Sequence, residues 1–367
     1  MSYRAYVEID LSAISHNVKT VKSKTNANIL AVVKADAYGH GLVPVAQTAI
    51  SAGATWVGVA LLEEALLLRK GGIDVPVIAW LTPPGDDFES ALKHNIDLSI
   101  SSITLLKEIV AAGKKVGIKP RVHIEIDTGM RRGGFLGEWR DLIEVLGQYK
   151  DSLTVVGLWT HFARADEPES TFTTEQMATF DARHAELVAS GIEPQIVHLS
   201  NSAASLVHPQ AHRNMVRLGI AMYGLSPDIK TLGNIFGLKP AMTLKAKLSL
   251  VKKAPAGSAI GYGGTAVLKN DSTIGVVVLG YSDGIPRNAT NVAGVSIDGV
   301  KAPLLGRVSM DQFVVDLGPN SQVQAGEYVT VFGEDGYSID DWAAASSTIN
   351  YEIVTRIAPR VHRIYRH

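Results

Sequence analysis

The sequence predicts an α/β protein with two domains: an N-terminal (β/α)8 barrel of the TIM type over residues 10–230, then a mostly β domain over 240–367, with residues 1–9 packing on the latter. Three observations carry this. Eight short β-rich runs recur through the first part, each followed by a stretch of helix length. The runs are near-continuously apolar instead of alternating, as befits parallel strands covered by helices. After Ser226-Pro227-Asp228 the helical spacers stop, and short strands follow one another closely. An open doubly wound sheet fits less well, because no glycine-rich dinucleotide fingerprint follows the first strand.

In chain order, Ala5-Tyr6-Val7-Glu8-Ile9-Asp10 reads as a strand. Asp10 or Ser12 is placed to cap a helix whose Ile14, Val18 and Val21 share one face. The barrel runs are Ile29–Val33, Trp56–Ala60, Val75–Trp80, Asp97–Ile100, Val122–Ile126, Val155–His161, Ile196–Leu199 and Met215–Ile220. Between them, a helix over Leu61–Lys70 ends at Gly71-Gly72, and helices over Thr104–Ala112, Trp139–Leu146 and Thr174–Ser190 are expected to stop at Gly113, Gly147 and Gly191. Beyond Lys239-Pro240 come strands at Met242–Val251, Thr273–Leu279, Val292–Ile297, Phe313–Asp316 and Tyr328–Phe332. Asp298-Gly299, Gly318-Pro319 and Glu334-Asp335-Gly336 mark turns, and one helix near Asp340–Thr348 opens behind Ser338.

Composition narrows the function. Hydrophobic residues make up 46% and charged residues 19%, with a net charge of -1, so nothing favours nucleic acid or an anionic membrane. The basic tail from Arg360 to His367 reads as a solvated edge. The absence of cysteine removes disulfides, thiolate metal sites and cysteine nucleophiles. No apolar run reaches the roughly 18–20 residues of a membrane helix, and the N-terminus lacks a signal core, so a cytoplasmic location is expected. His208 and His212 are spaced like metal ligands, but Pro209 interrupts any helix and no metal site is expected. Trp56, Trp80, Trp139, Trp159 and Trp342 read as packing.

Barrel enzymes build their sites at the C-terminal ends of the strands. Those ends here supply Lys34 and Tyr38, then Asp127–Gly134 with Arg132, then Thr160-His161, then Asn201-Ser202, and finally Arg217 with Gly219-Ile220. A lysine ending a buried strand either snorkels its head into water or is desolvated into a nucleophilic amine. The loops after strands seven and eight, with Asn201, Ser202, Gly219 and Ile220, occupy the usual phosphate position of such barrels, though ordinary helix-capping turns use the same residues. A phosphate site opposite an amine fits pyridoxal 5′-phosphate bound as a Schiff base. Arg217 beside the pyridine nitrogen would leave that ring unprotonated and restrict it to Cα proton chemistry.

The run Val32-Val33-Lys34-Ala35-Asp36-Ala37-Tyr38-Gly39-His40-Gly41 resembles the pyridoxal-phosphate signature of bacterial alanine racemases. The likeness continues through Asp127-Thr128-Gly129-Met130, Thr160-His161-Phe162-Ala163, Asn201-Ser202-Ala203-Ala204 and Val216–Gly224. It runs on in Gly261-Tyr262-Gly263, Gly280-Tyr281-Ser282-Asp283-Gly284, Gly306–Gln312 and Ile349-Asn350-Tyr351-Glu352, across both domains. The resemblance implies a homodimer whose active sites are shared between subunits. In it, Lys34 carries the cofactor and serves as one base, and Tyr262 of the other subunit serves the opposite face of the substrate carbon. Arg132 would bond the cofactor's phenolic oxygen and place the substrate carboxylate, with Met310 and Tyr281 of the other subunit beside it. Tyr38, Ser202, Gly219, Ile220 and Tyr351 match phosphate-binding positions, His161, Asn201 and Arg217 are further cofactor-binding residues the resemblance implies, and a nearby arginine or histidine such as His161 is expected to tune Tyr262. Many family members carry a carbamylated lysine where this chain has Glu125. The glutamate is expected to supply that charge directly, pairing with Arg132 without carbamylation.

The activity implied is interconversion of L- and D-alanine, supplying D-alanine for peptidoglycan. A racemase for serine or lysine remains open from sequence. A barrel-type pyridoxal-phosphate decarboxylase looks to a cysteine that this chain lacks, and a pyridoxal-phosphate carrier would resemble the barrel alone.

Overall fold

The structure, a computed structural model, describes residues 3–234 and 236–367. The chain forms two compact units. One comprises Ala13–Ala37 and Leu42–Lys239; the other comprises the N-terminal segment through Ser12, Tyr38–Gly41 and Pro240–His367.

After β1 (Ala5–Asp10) and the helix Leu11–Lys22, eight parallel strands build the first unit: β2 (Asn28–Val32), β3 (Trp56–Val59), β4 (Val77–Ala79), β5 (Ile96–Ile100), β6 (Arg121–Glu125), β7 (Thr154–Trp159), β8 (Ile196–His198) and β9 (Met215–Leu218). They are ordered β8-β7-β6-β5-β4-β3-β2-β9. The ring closes where the Arg217 N–H donates to Ser200 O, just past β8, at 3.0 Å. Every residue of β3, β4, β5 and β9 is buried, which is why these runs carry no polar alternation.

Two helices outrun the glycines expected to stop them. The helix Ile103–Val116 passes through Gly113 and ends at Gly117, whose φ of 70° is the left-handed cap. Gly113 serves close packing instead: a Cβ there would lie 2.6 Å from Pro120 Cδ. Likewise the helix Trp139–Gln148 includes Gly147. The helix Phe172–Ala189 starts two residues before the expected Thr174 and ends at the Ser190 cap, ahead of Gly191.

The second unit is antiparallel apart from one edge. It contains β10 (Met242–Ala254), the two-stranded ribbon β11 (Ala259–Ile260) and β12 (Ala266–Val267), then β13 (Ser272–Val277), β14 (Gly294–Ile297), β15 (Val300–Leu305), β16 (Phe313–Gly318), β17 (Tyr328–Phe332) and β18 (His362–Arg366). The order is β13-β16-β15-β14-β17-β10-β1-β18, with a further β13–β10 pairing that closes the sheet. The long β10 does this by pairing with β1 and β17 over Met242–Lys247 and with β13 from Leu248 on, with a bulge between Leu248 and Leu250. The strand β15 is not among those expected from the sequence; its Pro303 pairs opposite Gly294, and the hairpin turns on Asp298 and Gly299, with φ of 47° and 79°. The basic tail forms β18, which lies parallel to β1 as an exposed edge. Ser338 caps the helix Ile339–Ala345 by accepting from the Asp341 N–H at 2.9 Å.

Candidate active site

Lys34 stands where β2 gives way to an unusual turn. Ala35, Asp36, Ala37 and Tyr38 have φ of 53°, 54°, 52° and 54°, one turn of left-handed helix made without glycine. Each such residue costs about 1–2 kcal/mol, so the surroundings must hold it. The Ala35 N–H donates to Glu64 Oε1 at 2.6 Å, the Leu42 N–H to Asp36 Oδ1 at 2.9 Å, and the Ala37 N–H to Val33 O at 2.7 Å. Glu64 also accepts from the Ala60 and Leu61 N–H groups, at 3.0 and 3.1 Å, and so ties the turn to the corner between β3 and the helix Leu62–Lys70. Backbone strain concentrated beside one amine is a mark of functional sites.

Lys34 is exposed at the rim, because the strand stops at Val32. Packed protein still surrounds the ammonium on its inner side. Desolvation lowers its pKa, the charges of Arg132 and Arg217 lower it further, and Glu64 opposes them. A larger fraction of neutral amine at a given pH is the result.

Arg217 lies on β9 with 3% of its surface exposed. Its Nη1 donates to His198 O at 2.7 Å, and its Nη2 donates to Thr160 O at 2.8 Å and Leu199 O at 3.1 Å. Its Nη2 also lies 3.3 Å from His161 Nδ1. Burial pushes the guanidinium down to about 9, opposed by Glu125, so it keeps its charge at neutral pH. Burial, then Arg217, Arg132 and Lys34, holds His161 well below the ordinary imidazole range, and the ring is neutral.

Beneath the loop of Arg132 and Gly133, a recess is lined by Glu125, Asp127, Thr128, Met130 and His161 among others. Glu125 closes β6 at its floor, and a Cβ at Gly133 would lie 2.9 Å from its Oε2. The predicted pairing of Glu125 with Arg132 is absent: among the described residues no ion pair joins them, and Arg132 is exposed. Burial outweighs the attraction of Arg217 and Arg132 and pushes the Glu125 carboxyl up to about 7. Lys34 and Arg132 thus form no ion pair among the described residues, and the Glu125 carboxyl, which Arg132 attracts, still holds much of its proton near neutral pH. Such a rim suits an anionic group carrying a carbonyl, as pyridoxal 5′-phosphate does.

The Ser202 hydroxyl accepts from the Gly219 N–H at 2.9 Å and the Ala221 N–H at 3.3 Å, joining the loops after β8 and β9. Asn201 caps the short helix Ser202–Val207 through the Ala204 N–H at 3.0 Å. Ile220 is fully buried beside them.

The remaining residues belong to the second unit. Tyr38 and Tyr351 face each other with ring centroids 6.2 Å apart, and burial pushes the Tyr38 phenol up. Tyr262 opens the single turn Tyr262–Gly264, which rests on Gly306 and Arg307; a Cβ at Gly306 would lie 2.6 Å from Ile260 O. Tyr281 and Met310 are on adjoining loops, with the Tyr281 N–H donating to Ser309 O at 3.1 Å and the Ser282 N–H to Met310 O at 3.0 Å. Buried Asp283 anchors them, accepting from Arg4 Nη2 and Arg360 Nε, each at 2.6 Å, and from the Gly280 N–H at 2.9 Å.

The structure therefore gathers Lys34, Arg132, His161, Arg217, Asn201, Ser202, Gly219 and Ile220 on the barrel unit, and Tyr38, Tyr351, Tyr262, Tyr281 and Met310 on the other. Sequence reading missed Glu64, whose three N–H partners come from two loops, and His198, although a histidine inside an apolar strand was a visible signal.

A closed parallel barrel with its polar side chains at the C-terminal rim, followed by a closed antiparallel domain, is the architecture of a two-domain barrel enzyme. Residues 9–227 match the alanine racemase N-terminal domain and residues 241–365 the alanine racemase C-terminal domain. The chain belongs to the alanine racemase family. It is 45% identical to the alanine racemase of Salinispora tropica, over 99% of this chain and 98% of that one. The alanine racemase structure from D-cycloserine-producing Streptomyces lavendulae superposes with a TM-score of 0.97 at 41% identity, covering 100% of this chain and 98% of the other. That of Bacillus anthracis with bound L-Ala-P gives 0.91 at 38% identity, covering 100% and 96%.

Proposed function

We propose that this protein interconverts L- and D-alanine with pyridoxal 5′-phosphate as cofactor, working as a homodimer in the cytoplasm and supplying D-alanine for peptidoglycan. The observation that carries the reading is the amine of Lys34, set on a strained turn between two guanidinium groups and lowered in pKa, in a chain similar to alanine racemases along its whole length.

When bound, the cofactor supplies an electron-withdrawing ring that stabilises negative charge at the substrate Cα. Lys34 holds the cofactor through Nζ and, as a neutral amine, takes or returns the Cα proton on one face. Tyr262 of a second copy serves the other face through its phenolic oxygen, since inversion needs a proton removed on one side and delivered on the other. Neutral His161, whose Nδ1 faces Arg217, keeps Nε2–H to orient that phenol. Arg132 binds the substrate carboxylate and the cofactor's phenolic oxygen, with Met310 and Tyr281 of the second copy lining the pocket. Arg217, fixed by three carbonyls, offers charge to the ring nitrogen without giving up a proton. Asn201, Ser202, Gly219 and Ile220 form the phosphate loop, and the family resemblance assigns Tyr38 and Tyr351 to the same phosphate.

Incubating the purified holoenzyme with L-alanine in deuterated water tests this. D-alanine deuterated at Cα is expected; release of carbon dioxide, or no exchange at Cα, would overturn it.

A further inference from the structure

The barrel interior holds a polar chain that the reaction as described does not use. Arg121, the first residue of β6, donates through Nε and Nη2 to Asp97 on β5, at 2.7 and 3.1 Å. Asp97 Oδ2 lies 3.2 Å from His123 Nε2, His123 Nδ1 lies 3.1 Å from His198 Nε2, and His198 Nδ1 lies 3.3 Å from Arg217 Nη1. The chain climbs from the N-terminal end of the barrel, where Arg121 reaches solvent, to the guanidinium below the rim. Both histidines are fully buried and Asp97 is 1% exposed. The neighbours make room for it. A Cβ at Gly157 would lie 2.0 Å from His123 Nδ1, and Trp159 stacks on His198 at 5.8 Å with 10° between the planes.

The chemistry of the two ends dictates the protons between them. A guanidinium only donates and a carboxylate only accepts. Arg217 Nη1–H therefore meets a lone pair on His198 Nδ1, which puts the His198 proton on Nε2. That N–H donates to His123 Nδ1, and His123 Nε2–H donates to Asp97. An imidazolium at either position would turn an N–H against an N–H and finally against the guanidinium. Burial and the Arg217 charge hold His198 well below the usual imidazole range, in keeping with a neutral ring.

We propose that Asp97, anchored by Arg121, is a positioning residue for the active site: it fixes His123 and His198 as neutral Nε2–H tautomers, so that Arg217 meets an acceptor and is held in place from within the barrel. The catalytic consequence rests on the assignment of Arg217 to the site; the proton order does not.

Histidine-selective ¹⁵N labelling of the full-length protein without cofactor reads the proton order directly. His123 and His198 should both appear as neutral Nε2–H rings at about pH 7.5. An Nδ1–H tautomer or an imidazolium at either residue would overturn the proposal. In the holoenzyme, Asp97→Asn keeps an acceptor oxygen and should retain kcat to within about threefold, while Asp97→Leu should lower kcat about 10- to 100-fold with KM for alanine within about twofold, the usual effect of losing an orienting partner. A full kcat in Asp97→Leu, or an equal loss in Asp97→Asn, would contradict it. If Asp97→Leu fails to fold, the labelling result and Asp97→Asn still decide. A wild-type enzyme inactive on alanine would instead overturn the proposed function and leave the proton order standing on its spectrum.

Discussion

The two units hold their candidate residues in opposite ways. On the barrel, Arg217 is sealed in and bonded to three carbonyls, Ser202 bridges two loops, and the Lys34 turn is pinned by Glu64 and Asp36. On the β unit, Tyr262 is 70% exposed, Met310 54% and Tyr281 40%, while the loops under them are anchored by Asp283 and close glycine contacts. Exposed apolar and phenolic side chains on such anchored loops support the proposed meeting with a second copy. The barrel residues are held by their own packing; the β unit presents groups whose proposed partners lie on a second copy.

The contrast makes graded predictions. Lys34→Ala should lower racemisation most, by about 10²–10⁴-fold, the range for losing an acid–base group, measured as D-alanine formed from L-alanine; a smaller loss would place the amine outside the chemistry. Tyr262→Phe should cost about 10²-fold in rate and leave cofactor absorbance and thermal stability unchanged, because an exposed phenol contributes little to the fold. Gly157→Ala should act in the opposite sense, destabilising the barrel by about 1–3 kcal/mol as overpacking does, since its Cβ would meet His123; urea unfolding measures it.

The smallest effect is on pH dependence. With its carboxyl raised to about 7, folded Glu125 holds its proton where the unfolded chain has released it. Stability from this group is full below its unfolded pKa and is lost as pH rises through about 7. Glu125→Gln should therefore raise the melting temperature relative to wild type at pH 8 and leave it nearly unchanged at pH 4.5. His161 and His198 work from the acid side: both are held well below their ordinary range, so their contribution falls away as pH drops below about 6.5. A glutamine variant with no advantage at pH 8, or a lower melting temperature there, would show that Glu125 is ionised in the fold without cost.

What sequence could read follows the same division. Continuous apolar runs made the barrel strands and their rim legible, because burial on both faces leaves no polar alternation. Periodicity was silent about the left-handed turn at Ala35–Tyr38, which depends on Glu64 from another loop, and about the histidine chain, whose members come from β5, β6, β8 and β9. The Glu125–Arg132 pair looked sound as charges, but burial of the carboxyl and exposure of the guanidinium keep them apart. Tyr262, Tyr281 and Met310 carry no pattern of their own, and family resemblance alone drew attention to them.

Mixing the two inactive variants tests most directly whether the site is divided between copies. Lys34→Ala and Tyr262→Phe proteins, each alone, should be nearly dead. Unfolded together and refolded, half of the dimers would be mixed, and each mixed dimer would carry one site with both Lys34 and Tyr262 intact. Activity should then return to about a quarter of the wild-type value by this symmetry count. No recovery, with mixed dimers verified by mass, would mean that both bases come from one chain and would contradict the division proposed here.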